Sequence, residues 1–212
     1  MITNENLIPL ANSGDADAQF RLGYRFAFNR NKAKRFPSKA LRYWKMAAEQ
    51  GHARAQFYLG TAYDFGLGTR KDQRKAMLLY KRAALQGHEV AQYNLALGYR
   101  DGAGVRRNLS TAQQWFKRSA EAGYPEAQRD LGYCLHEGIG IKKDYGQAAQ
   151  WYKKAANQGD AIAQFNLALC YFDGHGVPRR TDLATHWLSK AASQKHPGAI
   201  AYLKDRRHSK VK

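Results

Sequence analysis

Apolar residues along this chain do not alternate with polar ones. They return every three to four residues and so mark the stripes of helices. Ala55, Leu59 and Tyr63 stand at i, i+4 and i+8, a spacing that predicts a first helix over Ala53–Asp64. Ala76, Leu79-Tyr80 and Ala83-Ala84 follow with the same period and predict a second helix. The second-helix pattern recurs as Ala112, Trp115-Phe116 and Ser119-Ala120, as Ala148, Trp151-Tyr152 and Ala155-Ala156, and as Ala184, Trp187 and Ala191-Ala192. Small residues at these places let neighbouring helices approach, and the large aromatic fills the space between them.

Sliding the chain against itself shows the period to be 36 residues: Gly51, Gly87, Gly123 and Gly159 are each followed by Ala-Gln (Ala55-Gln56, Ala91-Gln92, Ala127-Gln128, Ala163-Gln164) and then by Leu59, Leu95, Leu131 and Leu167. An earlier copy starts at Gly14, with Ala18-Gln19 and Leu22, and carries an insertion within Asn29–Ser38. Between the helices, Gly66-Leu67-Gly68, Gly102-Ala103-Gly104, Gly138-Ile139-Gly140 and Gly174-His175-Gly176 read as left-handed helix ends, with Asn29 expected to take that conformation in the first copy. Asp72, Asn108 and Asp144 are placed to cap the second helices; Arg180 breaks the series, and Thr181 or Asp182 is expected to substitute.

One such helix pair cannot bury its apolar stripe alone, so successive pairs must stack. The expected fold is all-α, an α/α superhelical solenoid of about five 36-residue helix-turn-helix repeats, with first helices lining its concave face. The expected division is an N-terminal capping helix at 1–13, repeats at 14–50, 51–86, 87–122, 123–158 and 159–194, and a capping helix with a basic tail at 195–212, all in one continuous domain.

The motif Gly-x-x-x-Ala-Gln-x-x-Leu-Gly/Ala-x-x-Tyr-x-x-Gly-x-Gly-Val-x-x-Asp, followed by Ala-x-x-Trp-x-x-x-Ala-Ala-x-x-Gly, resembles the Sel-one-like repeat family, relatives of tetratricopeptide repeats. Gly87–Ala122 and Gly159–Gln194 match it at nearly every position, and the resemblance runs from Gly14 to Leu203. It implies a protein-binding adaptor, regulator or inhibitor; bacterial members include signalling regulators, virulence-associated proteins and immunity proteins against secreted toxins. A cysteine-rich branch is linked to β-lactam binding, but its cysteine pairs are missing here.

Charge narrows the partner. Thirty-five Lys and Arg against 17 Asp and Glu leave +18, a surface that attracts polyanions or acidic proteins. The N-terminal Met1–Asn6 carries an acid where an export signal carries cations, and mean hydropathy is −0.68, so a soluble, cytoplasmic protein without membrane insertion is expected. Cys134 and Cys170 are the two cysteines. They share one repeat position, which places them about 8–10 Å apart, too far for a disulfide, and a reducing compartment fits them as small core residues.

Catalysis requires groups that depart from the repeat pattern, and little does. His52 and His88 share one loop position, His136-Glu137 is the nearest approach to an acid–base pair, and no metal-ligand spacing occurs. Neither an enzyme nor a cofactor or metal site is expected.

Two surfaces remain. The likeness to tetratricopeptide repeats implies that the concave face takes positions three, six, ten and thirteen after each repeat glycine. Position three reads Asp17, Arg54, Val90, Glu126 and Ile162; position six, Phe20, Phe57, Tyr93, Arg129 and Phe165; position ten, Tyr24, Thr61, Leu97, Tyr133 and Leu169; position thirteen, Ala27, Asp64, Arg100, His136 and Phe172. Position six also suits the core. Aromatic anchors among charges suit a peptide or protein edge. The second surface is a basic ridge built from the inter-helix pairs Arg70-Lys71, Arg106-Arg107, Lys142-Lys143 and Arg179-Arg180, with further cations in the Arg30–Lys39 insertion and the Lys204–Lys212 tail. The leading expectation is a monomeric, bacterial scaffold that captures an acidic protein or peptide segment as adaptor, regulator or immunity inhibitor. A nucleic-acid-binding solenoid is the alternative, with a hydrolase third.

Overall fold

The computed structural model describes residues 4–31 and 35–209. Met1–Thr3, at the start of the stretch read for an export signal, and the cations Lys32, Lys34, Lys210 and Lys212 lie outside the described residues. Every regular element among the described residues is helical: α1 (Asn4–Asn12), α2 (Ala16–Ala27), α3 (Pro37–Glu49), α4 (Ala53–Phe65), α5 (Gln73–Leu85), α6 (Glu89–Asp101), α7 (Leu109–Glu121), α8 (Pro125–Glu137), α9 (Tyr145–Asn157), α10 (Ala161–Asp173), α11 (Thr181–Ser193) and α12 (Pro197–Ser209). The chain is the all-α, helix-pair solenoid expected, and its contacts divide it into two units, 1–108 and 109–212. Within the first, α1 through α6 pack in succession. Within the second, α7 through α12 do the same.

Several helix pairs are closed by the same few devices. The aromatic of a second helix lies on the bare backbone of a first: a methyl group on Gly60 would stand 2.9 Å from the Tyr80 ring, and one on Gly132 2.8 Å from Tyr152, closer than carbon atoms approach. Consecutive pairs are joined by a glutamine clasp that the periodicity alone does not explain. The buried Gln19, Gln56, Gln128 and Gln164 donate to Ala11, Ala48, Ala120 and Ala156 carbonyls at 3.0–3.2 Å. Their own carbonyls accept from Gln50, Gln86, Gln158 and Gln194 at 2.8–2.9 Å. A buried amide left unpaired costs about 1–3 kcal/mol, so the clasp fixes the register between neighbouring repeats.

Several helix ends match the sequence reading and several correct it. Gly66, Gly102, Gly138 and Gly174 are left-handed caps, and Asp72 and Asp144 cap α5 and α9 through the Lys75 and Gln147 amides. Asn29 is not left-handed. Helix α2 ends one residue earlier, at Phe28 with φ −115°, and Asn29 instead accepts from the Asn31 amide in a short side-chain turn. Neither Thr181 nor Asp182 replaces the missing cap of α11; Arg180 holds that position without a side-chain cap bond, and its guanidinium pairs with Asp182. Hence the pair Arg179-Arg180 sits one residue late: Arg179 matches Lys71, and Arg180 matches the cap Asp72. At the end of the last repeat, where the others carry glycine, Lys195 takes φ 64°.

The core is small residues and aromatics. Of Trp151-Tyr152, Tyr152 is the buried ring at 2 % exposure, whereas Trp151 is half-buried with the Lys154 ammonium 3.8 Å over it. Cys134 and Cys170 are buried thiols not joined by a disulfide, and burial pushes the Cys170 thiol up to about 11.

Candidate functional site

The repeat glycines fix where each first helix begins, and the residue after the glycine turns out to be its cap. In the first unit the imidazoles of His52 and His88 accept from the Ala55 and Ala91 amides. Each ring also stacks on the position-six aromatic of the preceding repeat, His52 on Phe20 at 4.8 Å and His88 on Phe57 at 4.6 Å. Burial lowers the His88 pKa below its ordinary 6.5. Position six therefore faces the joint between repeats: Phe20 is buried and Phe57 half-buried. Arg54 is exposed and covers the Phe20 ring at 4.7 Å, and Val90, Tyr93 and Leu97 are half-buried.

Positions ten and thirteen of the first unit converge on one tyrosine. Tyr80, 1 % exposed, donates its hydroxyl to Asp64 Oδ2 at 3.3 Å with Thr61 Oγ1 at 3.4 Å, and burial pushes its pKa up to about 12. Tyr80 and Asp64, with Asn94, Leu97 and Asp101, line a cavity of about 250 Å³. Arg100 grips Asp101 through both carboxylate oxygens, at 2.7 and 2.9 Å, which lowers the acid's pKa.

The second unit repeats the scaffold with other side chains. At the first-helix cap Asp160 accepts from the Ala163 amide and meets, at 3.1 Å, the position-six Arg129, whose Nε also holds Asp130 at 2.7 Å. Glu126 is half-buried, and Phe172 stacks on Tyr202 at 5.0 Å. Tyr133 is half exposed and His136 lies 2.8 Å from Glu137. These last residues border a cavity of about 200 Å³, together with Tyr152, Asn166, Leu169, Cys170, Asp173 and His175.

The basic loops differ between the units. In the first, Arg70, Lys71, Arg74 and Lys75 rim an open depression of about 710 Å³, and Arg106 with Arg74 rims an adjoining one of about 340 Å³. Asp72, the acid among them, is occupied by its cap bond and by Lys75 at 3.2 Å. Arg107 braces the Arg100 carbonyl at 3.0 Å. In the second unit Lys142 and Lys143 are exposed, with Lys143 over the Tyr145 ring at 5.4 Å; Arg179 braces the Phe172 carbonyl at 2.8 Å. Arg180 is bound to Asp182, whose pKa that pairing lowers to about 2. The first unit thus gathers Arg70, Lys71, Arg74 and Arg106 around two adjoining depressions, and the second unit keeps Lys142 exposed. Arg74 was not singled out by the sequence because it lies in the first helical turn beyond the repeated pairs.

Among the described residues no group of three or more metal-ligating side chains gathers, and no helix is long and apolar enough to cross a membrane.

The Sel1 repeat profile matches five times, at residues 16–52, 53–88, 90–124, 125–160 and 161–196. The structure resembles c5321, a protective antigen of uropathogenic Escherichia coli with an SLR fold (TM-score 0.91, 35% identity, 97% of this chain and 44% of that one). It also resembles a Sel1 repeat protein of Oxalobacter formigenes (TM-score 0.86, 35% identity, 95% and 58%). The chain thus spans about half the length of these two relatives. The immunity protein Pa5087 of Pseudomonas aeruginosa is similar at TM-score 0.53 and 25% identity, over 87% of this chain and 67% of that one. Among curated proteins none matches by sequence.

Proposed function

Because this chain belongs to the Sel1 repeat family, we propose that it works as a non-catalytic scaffold that captures an acidic protein, or an acidic segment of one, as an adaptor, a regulator or an immunity inhibitor of a toxin. The observation that carries this reading is the set of exposed loop cations of the first unit, Arg70, Lys71, Arg74 and Arg106, which rim two adjoining depressions with their one acid already engaged. Cations rimming a concavity focus the field and speed the arrival of an anionic partner. The described likeness of Pa5087 to this fold supports the inhibitor form of the proposal.

The test is capture of partners from the native host, followed by association and dissociation rates at two salt concentrations. Reversing Arg70, Lys71 and Arg106 to glutamate is expected to slow association about tenfold or more and flatten its salt dependence, with the melting temperature held. Unchanged association rates would reject the basic surface. Equal, steeply salt-dependent binding to unrelated DNA duplexes would replace the protein partner with nucleic acid.

A further inference from the structure

We infer that the cavity bordered by Tyr133 and Tyr152 in the second unit receives the guanidinium of an arginine from a protein partner. Two carboxylates, Glu137 and Asp173, line this cavity of about 200 Å³, and among the described residues lining it there is no lysine or arginine. That is unusual in a chain with 35 basic and 17 acidic residues. Tyr152 supplies the independent sign of a ligand. It is 2 % exposed and lines the cavity, yet its hydroxyl meets no hydrogen-bond partner among the described residues. The hydroxyl is not sealed from solvent: it reaches the cavity, where it is available to a ligand as donor or acceptor.

The first unit explains both features. Advancing its cavity by 72 residues, two repeat periods, turns Tyr80 into Tyr152 and Asp101 into Asp173. The same step turns Thr61 and Asp64, which hold the Tyr80 hydroxyl, into Tyr133 and His136, and turns Arg100 into Phe172. Beside the first cavity the chain supplies its own guanidinium: Arg100, which does not itself line the cavity, grips the lining Asp101 at 2.7 and 2.9 Å. Asp173 has no ion-pair partner among the described residues. The second cavity is the same frame with the arginine and the tyrosine's acceptor removed, while a further carboxylate, Glu137, stands where the first has Phe65.

Arginine fits this better than lysine. Its planar fork reaches acceptors on several sides at once, and its face stacks on rings. Here Glu137 and Asp173 belong to different helices, the Tyr152 hydroxyl is a further acceptor, and the walls are Tyr133 with the imidazoles of His136 and His175, the latter stacked on Tyr145 at 4.7 Å. The inference rests on the scaffold reading only for the source of the arginine. An acidic partner can still present one basic side chain here.

The test needs no partner, so its failure is distinguishable from failure of the scaffold reading. Nα-acetylarginine amide is titrated into the full chain while the aromatic resonances of Tyr133 and Tyr152 are followed, with the lysine and glutamine amides as comparison probes. Saturable shifts with the arginine probe are expected, at least tenfold weaker in the Glu137→Gln/Asp173→Asn double variant and several-fold weaker in Tyr152→Phe. A melting curve for each variant separates lost binding from unfolding. Equal shifts from the glutamine amide, or undiminished binding by a folded double variant, would overturn the site. Equally tight binding of the lysine amide would overturn the choice of guanidinium.

Discussion

The two units are the same frame shifted by 72 residues, and they differ in who satisfies their polar groups. In both, a buried tyrosine lies on a glycine backbone, Tyr80 on Gly60 and Tyr152 on Gly132, and glutamine clasps join successive pairs. In the first, the tyrosine hydroxyl, the Asp101 carboxylate and the His88 cap are matched from within by Asp64, Arg100 and the Phe57 ring. In the second, Arg129 and Asp160 replace Phe57 and His88 with an ion pair, whereas Tyr152 and Asp173 lose their counterparts. Repeats that share a backbone can thus divide labour. Side chains of the frame fix register, and the positions around them decide which polar groups remain available to a partner.

The largest expected effect lies in what the units share. Tyr80→Ala and Tyr152→Ala each empty a ring-sized space against an immovable glycine backbone, so each should destabilise by about 3–5 kcal/mol in denaturant titrations. Trp151→Ala, which removes a half-buried ring, should cost clearly less. Similar costs at Trp151 and Tyr152 would mean that burial does not rank these neighbours.

Removing only the hydroxyls should separate the units. Tyr80→Phe breaks a bond to Asp64 and leaves that half-buried carboxylate short of a donor, at a cost of about 1 kcal/mol. Tyr152→Phe breaks no bond within the chain and should be neutral or slightly stabilising. A smaller effect is expected from exchanging the surroundings: Tyr133→Thr/His136→Asp gives Tyr152 the partners Tyr80 has, and should make a subsequent Tyr152→Phe change measurably destabilising where it was not before. No coupling between these changes would show that the two tyrosines are not interchangeable.

What was legible beforehand follows from these differences. The helix pairs, their glycine ends and the reduced cysteines depend on features repeated at one period, and the helix expected over Ala53–Asp64 ends one residue later, at Phe65. The Asn29 helix end was misread because the insertion displaces the chain there, and α2 closes at Phe28 on a bond to the Tyr24 carbonyl. The glutamines were visible as a motif, but their role needs Gln50, Gln86, Gln158 and Gln194, which lie outside it, about 30 residues further along the chain. The arginine cavity was hidden for a different reason. Its lining comes from two successive repeats, and its informative residues are those missing relative to a copy 72 positions away, which no single-repeat pattern contains. His136-Glu137 did depart from the pattern, and the structure places it on the wall of that cavity.

The smallest expected effect concerns the caps at the equivalent positions 88 and 160. The His88 Nδ1 must be unprotonated to accept from the Ala91 amide, and burial against Phe57 lowers its pKa below 6.5. The unfolded chain therefore takes up this proton first as pH falls, so the unfolded state binds more protons and stability must decline with acid. The contribution is fully present above about pH 6.5 and is lost as pH drops through the depressed folded value. It amounts to a fraction of the roughly 1 kcal/mol that an N-cap supplies. His88→Asp copies the residue of the second unit, and an ordinary aspartate remains ionised well below this range. Amide exchange at Ala91 between pH 7.5 and 5.5, corrected for intrinsic rates, should show protection falling in the parent chain and holding in His88→Asp. Equal losses in both would assign the acid sensitivity to other groups and leave the two caps equivalent in kind.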